Sequence, residues 1–239
     1  MDKELEYYLW VDKAVDQLKE REVKKHIVHG MWTPSGFFHI GNSRAELLIP
    51  SFVYQSLKDN GLKADHNFIV DDFDDFDKIP KGLDIKEEDF VSHLGKPLKD
   101  VPSPVSGFDS WADFFSDEVL SVADKFGLKP NVMSSYENYK KGMFDGAIKT
   151  VLDKAEEVRK IWKEVTKADR PKGWLPVMIM CEGCGRLSTT KITSWDGKFV
   201  EYSCNQNRDY VKACRHKGKV KPEKGIAKLP WRIHWAAGW

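Results

Sequence analysis

Thr33-Pro34-Ser35-Gly36-Phe37-Phe38-His39-Ile40-Gly41-Asn42 is the stretch whose reading decides the fold. Immediately before it, Lys25-His26-Ile27-Val28-His29 reads as a short strand. Immediately after it, Ser43 opens a helical pattern with Glu46 three residues on, the spacing of a capping box. The stretch is therefore a strand-to-helix turn. Such a turn leaves amide N–H groups unpaired at the positive end of a helix dipole, and Gly36 and Gly41 let a nucleotide approach the backbone closely. A polyphosphate suits this chemistry, with His39 placed to donate to negative charge that develops as a phosphate is displaced.

Working outward, the pattern from Ser43 to Lys58 is helical and Asn60-Gly61 is its stop signal. Pro50 conflicts with that helix, because an interior proline removes a hydrogen bond, so a kink or break is expected there. Asn67-Phe68-Ile69-Val70 then reads as a buried strand, and strand, helix and strand within one short span make a crossover onto a parallel sheet. Ligands bind at the C-terminal ends of such strands. That is where Asp71-Asp72-Phe73-Asp74-Asp75-Phe76-Asp77 begins. Asp74, Asp75 and Asp77 read as a solvated loop, whereas Asp71 and Asp72, directly after the strand, are candidates to hold a substrate ammonium group or to border the nucleotide.

The flanks are less informative. Residues 2–22 repeat apolar groups at helical spacing, with Leu5, Leu9 and Leu18 on or near one face. Asp84–Val105 mixes proline, glycine and charge and reads as an irregular excursion with one short helix. Ser110 with Asp113 opens a helix whose Trp111, Phe114, Phe115, Leu120, Ala123 and Phe126 form a core face, ended by Gly127. Val132-Met133-Ser134 suggests a strand, and Tyr136-Glu137-Asn138-Tyr139-Lys140-Lys141-Gly142 leads into a long helix to about Lys167, with Ile148, Val151, Leu152, Ala155, Val158, Ile161 and Trp162 along one face.

All four cysteines lie between 181 and 214. Cys181-Glu182-Gly183-Cys184 is a knuckle, two thiolates two residues apart with glycines that permit the tight turn one tetrahedral metal requires. Cys204 comes after an alternating segment, Thr189–Val200, that contains the hairpin turn Asp196-Gly197. Cys214 completes four, with His216 as the competing ligand. Four protein ligands leave no open position, so the zinc is structural. Arg208 to Lys228 holds eight Lys/Arg against two Asp/Glu, either a solvated basic loop or a phosphate-contacting surface. Lys221-Pro222-Glu223-Lys224-Gly225 reads as the linker out of this region. At the end, Trp231, Trp235 and Trp239 put three indoles in nine residues, too many for casual surface; such rings form core or pocket wall and can hold an ammonium by cation–π attraction.

Composition bounds the rest. A chain of 239 residues can bury a sizeable core. Its 38 basic residues nearly cancel 37 acidic ones, so overall charge predicts no nucleic-acid coat and RNA contact requires a local patch. There is no apolar run long enough to span a membrane and no signal-peptide core, which predicts a cytoplasmic protein without membrane contact. Clustered cysteines do not resemble a secreted disulfide scaffold.

Pro34-Ser35-Gly36 followed by His39-Ile40-Gly41-Asn42 resembles the first ATP-binding signature of class I aminoacyl-tRNA synthetases, and the ending in Asn resembles the archaeal-type class I lysyl-tRNA synthetases. Asp-Asp-Phe-Asp followed by Lys78-Ile79-Pro80, the Tyr139-Lys140-Lys141-Gly142 junction and the tryptophan-rich end are similar to that family as well. The resemblance implies an α/β fold: an incomplete Rossmann-like nucleotide-binding domain with a small zinc-ribbon-like β insertion. The expected partition is residues 1–168 for the nucleotide and amino-acid domain, 169–228 for the insertion and 229–239 for a return strand that borders the pocket.

The implied activity is ATP-dependent conversion of lysine to lysyl-adenylate, with Mg²⁺ accompanying ATP, then transfer to the 3′ end of tRNA. By the same resemblance His39 and Asn42 are catalytic contacts to phosphate. Pro34, Ser35, Gly36 and Gly41 border ATP, Thr33, Trp231 and Trp235 border lysine, and the insertion approaches the tRNA acceptor end. Three departures stand out. His234 replaces the family's usual acid, Met31 stands where the family has a glycine, and the Lys-Met-Ser-Lys-Ser-like second signature occurs nowhere, as in a truncated enzyme. A non-catalytic tRNA-binding paralogue and a ligase for another amino acid are the alternative expectations; oligomeric state is not legible.

Overall fold

A computed structural model of the chain describes residues 9–238. Its elements run α1 (Trp10–Lys19), β1 (His26–Trp32), α2 (Ile40–Asn42), a π-helical stretch Ser43–Leu48, α3 (Ile49–Asp59), β2 (Ala64–Val70), α4 (Glu88–Val91), a 3-10 turn Leu98–Asp100, α5 (Trp111–Lys125), β3 (Asn131–Ser134), α6 (Ser135–Lys140), α7 (Asp145–Asp153), α8 (Ala155–Thr166), β4 (Met178–Ile179), β5 (Thr190–Trp195), β6 (Val200–Cys204), β7 (Lys217–Val220), β8 (Ala227–Lys228) and α9 (Trp231–Ala237). The chain forms two compact units, Met1–Asp71 with Phe115–Met133, and Asp72–Phe114 with Ser134–Trp239.

The first unit is built on a sheet of order β1-β2-β3 in which β1 and β2 are parallel, from His26↔Ala64 to Trp32↔Val70. Mixed α/β content around a parallel pair is Rossmann-like. Phe68, Ile69 and Val70 are all buried, the continuous apolar run expected of a strand covered on both faces. Val15 of α1, Leu57 of α3 and Ala64 of β2 form a core cluster, with Leu18 and Tyr54 packed against it. Leu9, expected on that face, is instead exposed, and Leu5 lies outside the described residues.

Pro50 is accommodated by a change of helix type. The six residues before α3 are π-helical, with the Ile49 N–H donating to the Arg44 carbonyl five residues back, and Pro50 falls in the first turn of α3, where a missing N–H is tolerated. In an unbroken α-helix the Glu46 carbonyl would accept from residue 50. Gly30 of β1 packs against that carbonyl instead: a Cβ on residue 30 would stand 1.8 Å from the Glu46 oxygen. At the far end, Gly61 takes φ +74° and the Leu62 N–H returns to the Leu57 carbonyl, the stop expected from Asn60-Gly61.

The second unit has a core of Phe73, Tyr139, Ile148, Leu152, Ile179, Tyr202 and Leu229 among others. Gly142 at φ +78° ends α6, and the long helix expected to run on to about Lys167 is two helices, because Lys154 leaves helical geometry between α7 and α8. α5 passes from the second unit to the first: Trp111 in the second and Phe115 and Ala123 in the first are buried as their spacing requires, but Phe126 just after the helix is 65% exposed. β5 and β6 form the expected hairpin. Asp196 Oδ1 accepts from the Lys198 and Phe199 amides while Gly197 takes φ +92°, and β7 adds a third antiparallel strand. The returning strand is β8, paired with β4, but the expected strand over 229–239 does not form: Trp231–Ala237 is helix α9. Pro230 presets its first turn, and Trp231 and Trp235 are spaced by four, one helical turn.

Candidate active site

In the first unit, β1 ends at Trp32, Pro34 is buried, and His39 enters the helix as its N-cap in extended conformation. His39 Nδ1 accepts from the Gly41 N–H at 3.1 Å and the Asn42 N–H at 3.4 Å, and Asn42 Oδ1 accepts from the His39 N–H at 3.4 Å. This reciprocal box lies one turn earlier than the Ser43/Glu46 box expected from spacing. It also corrects the expected chemistry, since the amides of Gly41 and Asn42 are not free for a ligand. With Nδ1 as acceptor, the neutral imidazole carries its proton on Nε2. The side-chain donors that remain are therefore Nε2–H of the exposed His39 and the NH₂ of the half-buried Asn42. Gly41 is required beneath the ring, because a Cβ there would meet His39 Cε1 and Nδ1 at 3.0 Å.

Glu46, read from sequence as a capping residue, has another task. The His26 N–H and the Trp32 carbonyl both bond towards β2, to Lys63 O and Asp71 N, so the odd-numbered residues of β1 direct their amides to the opposite edge. There the Met31 N–H donates to Glu46 Oε2 at 3.2 Å. Together with the Gly30 contact, this ties the π-helical stretch to the last turn of β1 at two points and spans the whole signature between them. Burial raises the Glu46 carboxyl above its ordinary value, opposed by the Met31 hydrogen bond.

The aspartate run crosses from the first unit to the second. Asp71 is fully buried, its N–H bonded to the Trp32 carbonyl. Asp72 is buried in the second unit, and both its oxygens are occupied, accepting from Ser134 Oγ at 2.6 Å and the Tyr136 N–H at 2.7 Å, where they brace the start of α6. Asp74 and Asp75 are not the solvated loop expected. Asp74 Oδ1 accepts from the fully buried Lys228 Nζ at 2.7 Å, and Asp75 Oδ2 from the Tyr210 hydroxyl at 2.9 Å. Burial first, then the neighbouring Asp75, pushes the Tyr210 phenol up to about 12.

Also in the second unit, α9 divides its aromatic residues between solvent and core. Trp231 is 52% exposed and meets Trp235 edge to face at 5.9 Å. His234 is buried, its ring edge-on to Tyr139 at 5.3 Å and Phe144 at 4.9 Å. The His234 imidazole thus packs edge-on against two aromatic rings. Trp239 lies outside the described residues.

The four thiols converge. Ligand atoms of Cys181, Cys184, Cys204 and Cys214 all lie within 4.8 Å of one another, with Sγ···Sγ distances of 3.7 Å for Cys181–Cys214 and 3.9 Å for Cys184–Cys204. A tetrahedron with Zn–S bonds of about 2.3 Å has edges of about 3.8 Å, so the two shorter separations match a zinc tetrahedron and the four donors are of the type and spacing that could hold one. His216 is directed elsewhere: its Nε2 is 3.8 Å from Glu182 Oε2 and its Cβ packs over Gly183. Burial pushes the Cys181 thiol up to about 12, so a metal must displace a tightly held proton there.

A family model described as tRNA synthetases class I (K) matches residues 8–239. The chain belongs to this family. It is 36% identical over 233 residues to a lysine–tRNA ligase of Methanocaldococcus jannaschii, 38% identical over 231 to one of Methanosarcina barkeri, and 31% identical over 230 to one of Archaeoglobus fulgidus. Each alignment covers 96% of this chain but only 42%, 41% and 44% of the relative, so the chain spans about two fifths of the length of the curated relatives it matches. Sequence reasoning expected phosphate contacts from His39 and Asn42 and missed their mutual capping. It also missed the Glu46 tie and the Lys228–Asp74 pair. The signals were present only in part: Pro50 after Glu46 announced a displaced carbonyl, whereas nothing local distinguishes Lys228 from the other lysines around it.

Proposed function

We propose that this chain is the N-terminal portion of a class I lysine–tRNA ligase. The reaction is attack of a lysine carboxylate oxygen on the α-phosphorus of ATP, forming the acyl–phosphate bond of lysyl-adenylate and expelling pyrophosphate. Transfer of the lysyl group to the 3′ end of tRNA completes the cycle. The observation that carries the reading is the capped signature turn, which occupies His39 Nδ1 and Asn42 Oδ1 and so leaves His39 Nε2–H and the Asn42 NH₂ as the donors of this turn. Two such donors stabilise charge building on the phosphate oxygens as pyrophosphate leaves. Pro34, Ser35, Gly36 and Gly41 border the nucleotide, and Mg²⁺ accompanies ATP.

Thr33, Trp231 and Trp235 border the amino acid. Asp71 or Asp72, at the C-terminal end of β2, holds an ammonium group, a role supported by location. Cys181, Cys184, Cys204 and Cys214 hold a structural zinc in an insertion over 169–228 that approaches the tRNA acceptor end; the choice of Cys214 over His216 is supported by the sulfur distances. The test is calorimetric titration of the zinc-loaded chain with a non-hydrolysable lysyl-adenylate mimic. We expect saturable binding, weakened about tenfold or more in His39→Ala and Trp235→Ala. A folded, zinc-loaded protein that does not bind, or that prefers another aminoacyl group, overturns the reading.

A further inference from the structure

Between Lys154 and Trp174, α8 and the turn after it carry seven Lys/Arg against four Asp/Glu. Part of that charge is neutralised locally, Glu156 on Arg159, and Asp169 on both Arg159 and Lys163. Arg170 is different. Its guanidinium lies 5.0 Å from the Trp162 ring centroid and 5.2 Å from that of Trp174, and the two indoles meet edge to face at 5.4 Å. Arg232, from α9, lies 5.8 Å from the same Trp162 centroid. Both arginines are exposed, and among the described residues neither side chain makes a hydrogen bond or ion pair.

A guanidinium stacked on a ring keeps its five N–H donors available and has already lost much of its rotamer freedom. Two such groups on one indole, without a carboxylate between them, form a pre-ordered anion site. Ring faces interleaved with unpaired cations are what single-stranded nucleic-acid sites use, the cations for phosphates and the rings for bases. Beside Arg232, the half-exposed Trp231 continues the aromatic surface along α9.

We infer that this Arg170–Trp162–Arg232 ladder, flanked by Trp174, binds the phosphodiester backbone of single-stranded RNA. That the strand is the 3′ end of tRNA rests on the ligase reading above. Arg232 and Trp235 share α9, so a strand held at Arg232 is held on the helix that the same reading assigns to the amino-acid pocket. Arg159 and Lys163, whose charge is taken up by Glu156 and Asp169, are excluded from the contact.

The experiment is fluorescence anisotropy of the zinc-loaded chain with a labelled single-stranded RNA of about ten nucleotides ending in CCA-3′. Wild type is compared with Arg170→Gln, Arg232→Gln, the double variant and Lys163→Gln. Each arginine variant is expected to weaken binding about fivefold at low salt and to reduce the slope of log K against log salt by about 0.7, the value for one phosphate contact on a single strand. Lys163→Gln should leave both unchanged. No RNA binding by the wild type, a double variant that binds like wild type, or tripolyphosphate bound as tightly as RNA with the same arginine dependence overturns the inference. The lysyl-adenylate mimic is titrated in parallel. Mimic binding with arginine-independent RNA binding removes the ladder and spares the ligase reading, whereas arginine-dependent RNA binding without mimic binding does the reverse.

Discussion

The signature turn of the first unit and the cysteine cluster of the second solve the same problem, holding an irregular loop still, by opposite means. The cluster is held from within. Cys181 and Cys204 are buried, the sulfurs converge, and Tyr202 and Leu187 pack around them. The signature leaves His39 and Gly41 exposed, as the proposed contact with ATP requires, so burial does not hold it. It is fastened at its ends by backbone devices: the His39–Asn42 box at the helix start, and the Glu46 tie to Met31 and Gly30 at the strand end. A loop stabilised by enclosure tolerates little loss of its centre, whereas a loop stabilised by clamps can lose one and remain folded.

The largest effect that could break this comparison is metal removal. Stripping zinc, or Cys204→Ser, is expected to unfold the β5–β7 sheet, because binding free energies at structural sites reach about 10 kcal/mol or more. Hydrogen exchange should then show lost protection at β6 with β1 and β2 retained. Equal loss in both units would contradict the division of labour. Next, Gly30→Ala places a Cβ against the Glu46 carbonyl, where backbone rather than a flexible side chain must yield, and should cost about 3 kcal/mol in denaturant unfolding. A neutral result would mean that the strand and helix are not tied there.

Lys228→Ala is expected to cost a comparable amount, about 3 kcal/mol, by leaving Asp74 without its buried cation; Lys228→Met with Asp74→Asn should recover most of it. His39 then separates holding from chemistry. His39→Ala should lose the cap, about 1 kcal/mol by thermal melting, together with binding of the adenylate mimic, whereas His39→Asn keeps an acceptor for the cap and loses only the binding.

The smallest effect concerns pH. Burial raises the Glu46 carboxyl, so the folded state holds that proton more tightly than the unfolded state. Stability from this group is therefore greatest at low pH and falls as pH rises from the ordinary carboxyl range through the raised value. Glu46→Gln keeps an acceptor for the Met31 N–H but removes the charge. Relative to wild type, its melting temperature should rise between pH 4 and pH 7; an unchanged difference would remove Glu46 from the pH response.

Much of this was legible in the amino-acid order. The strand–turn–helix of the signature, β2, the hairpin around Asp196-Gly197 and the convergence of four cysteines depend on residue types at short spacing, where glycine, proline and alternation act directly on the backbone. The break at Pro50 was foreseeable for the same reason, though its form as a π-helical stretch was not. The uninterrupted helix to Lys167 failed because an apolar stripe does not register a local break: α7 buries Ile148 and Leu152, whereas α8, beyond Lys154, leaves Ile161 exposed.

By itself, the sequence determined that a turn into a helix comes after a parallel strand, that four thiols come together, and that the chain resembles the lysine-type class I synthetases. Tertiary structure alone decided which atoms remain available. Asp72 is spent on Ser134, 62 residues away, and Asp74 on Lys228, 154 residues away, while His39 turns one ring nitrogen inward and the other out. The physical reason is range. Backbone conformation is set by neighbours along the chain, but whether a side chain is buried, paired or open to a ligand depends on groups that only folding brings beside it.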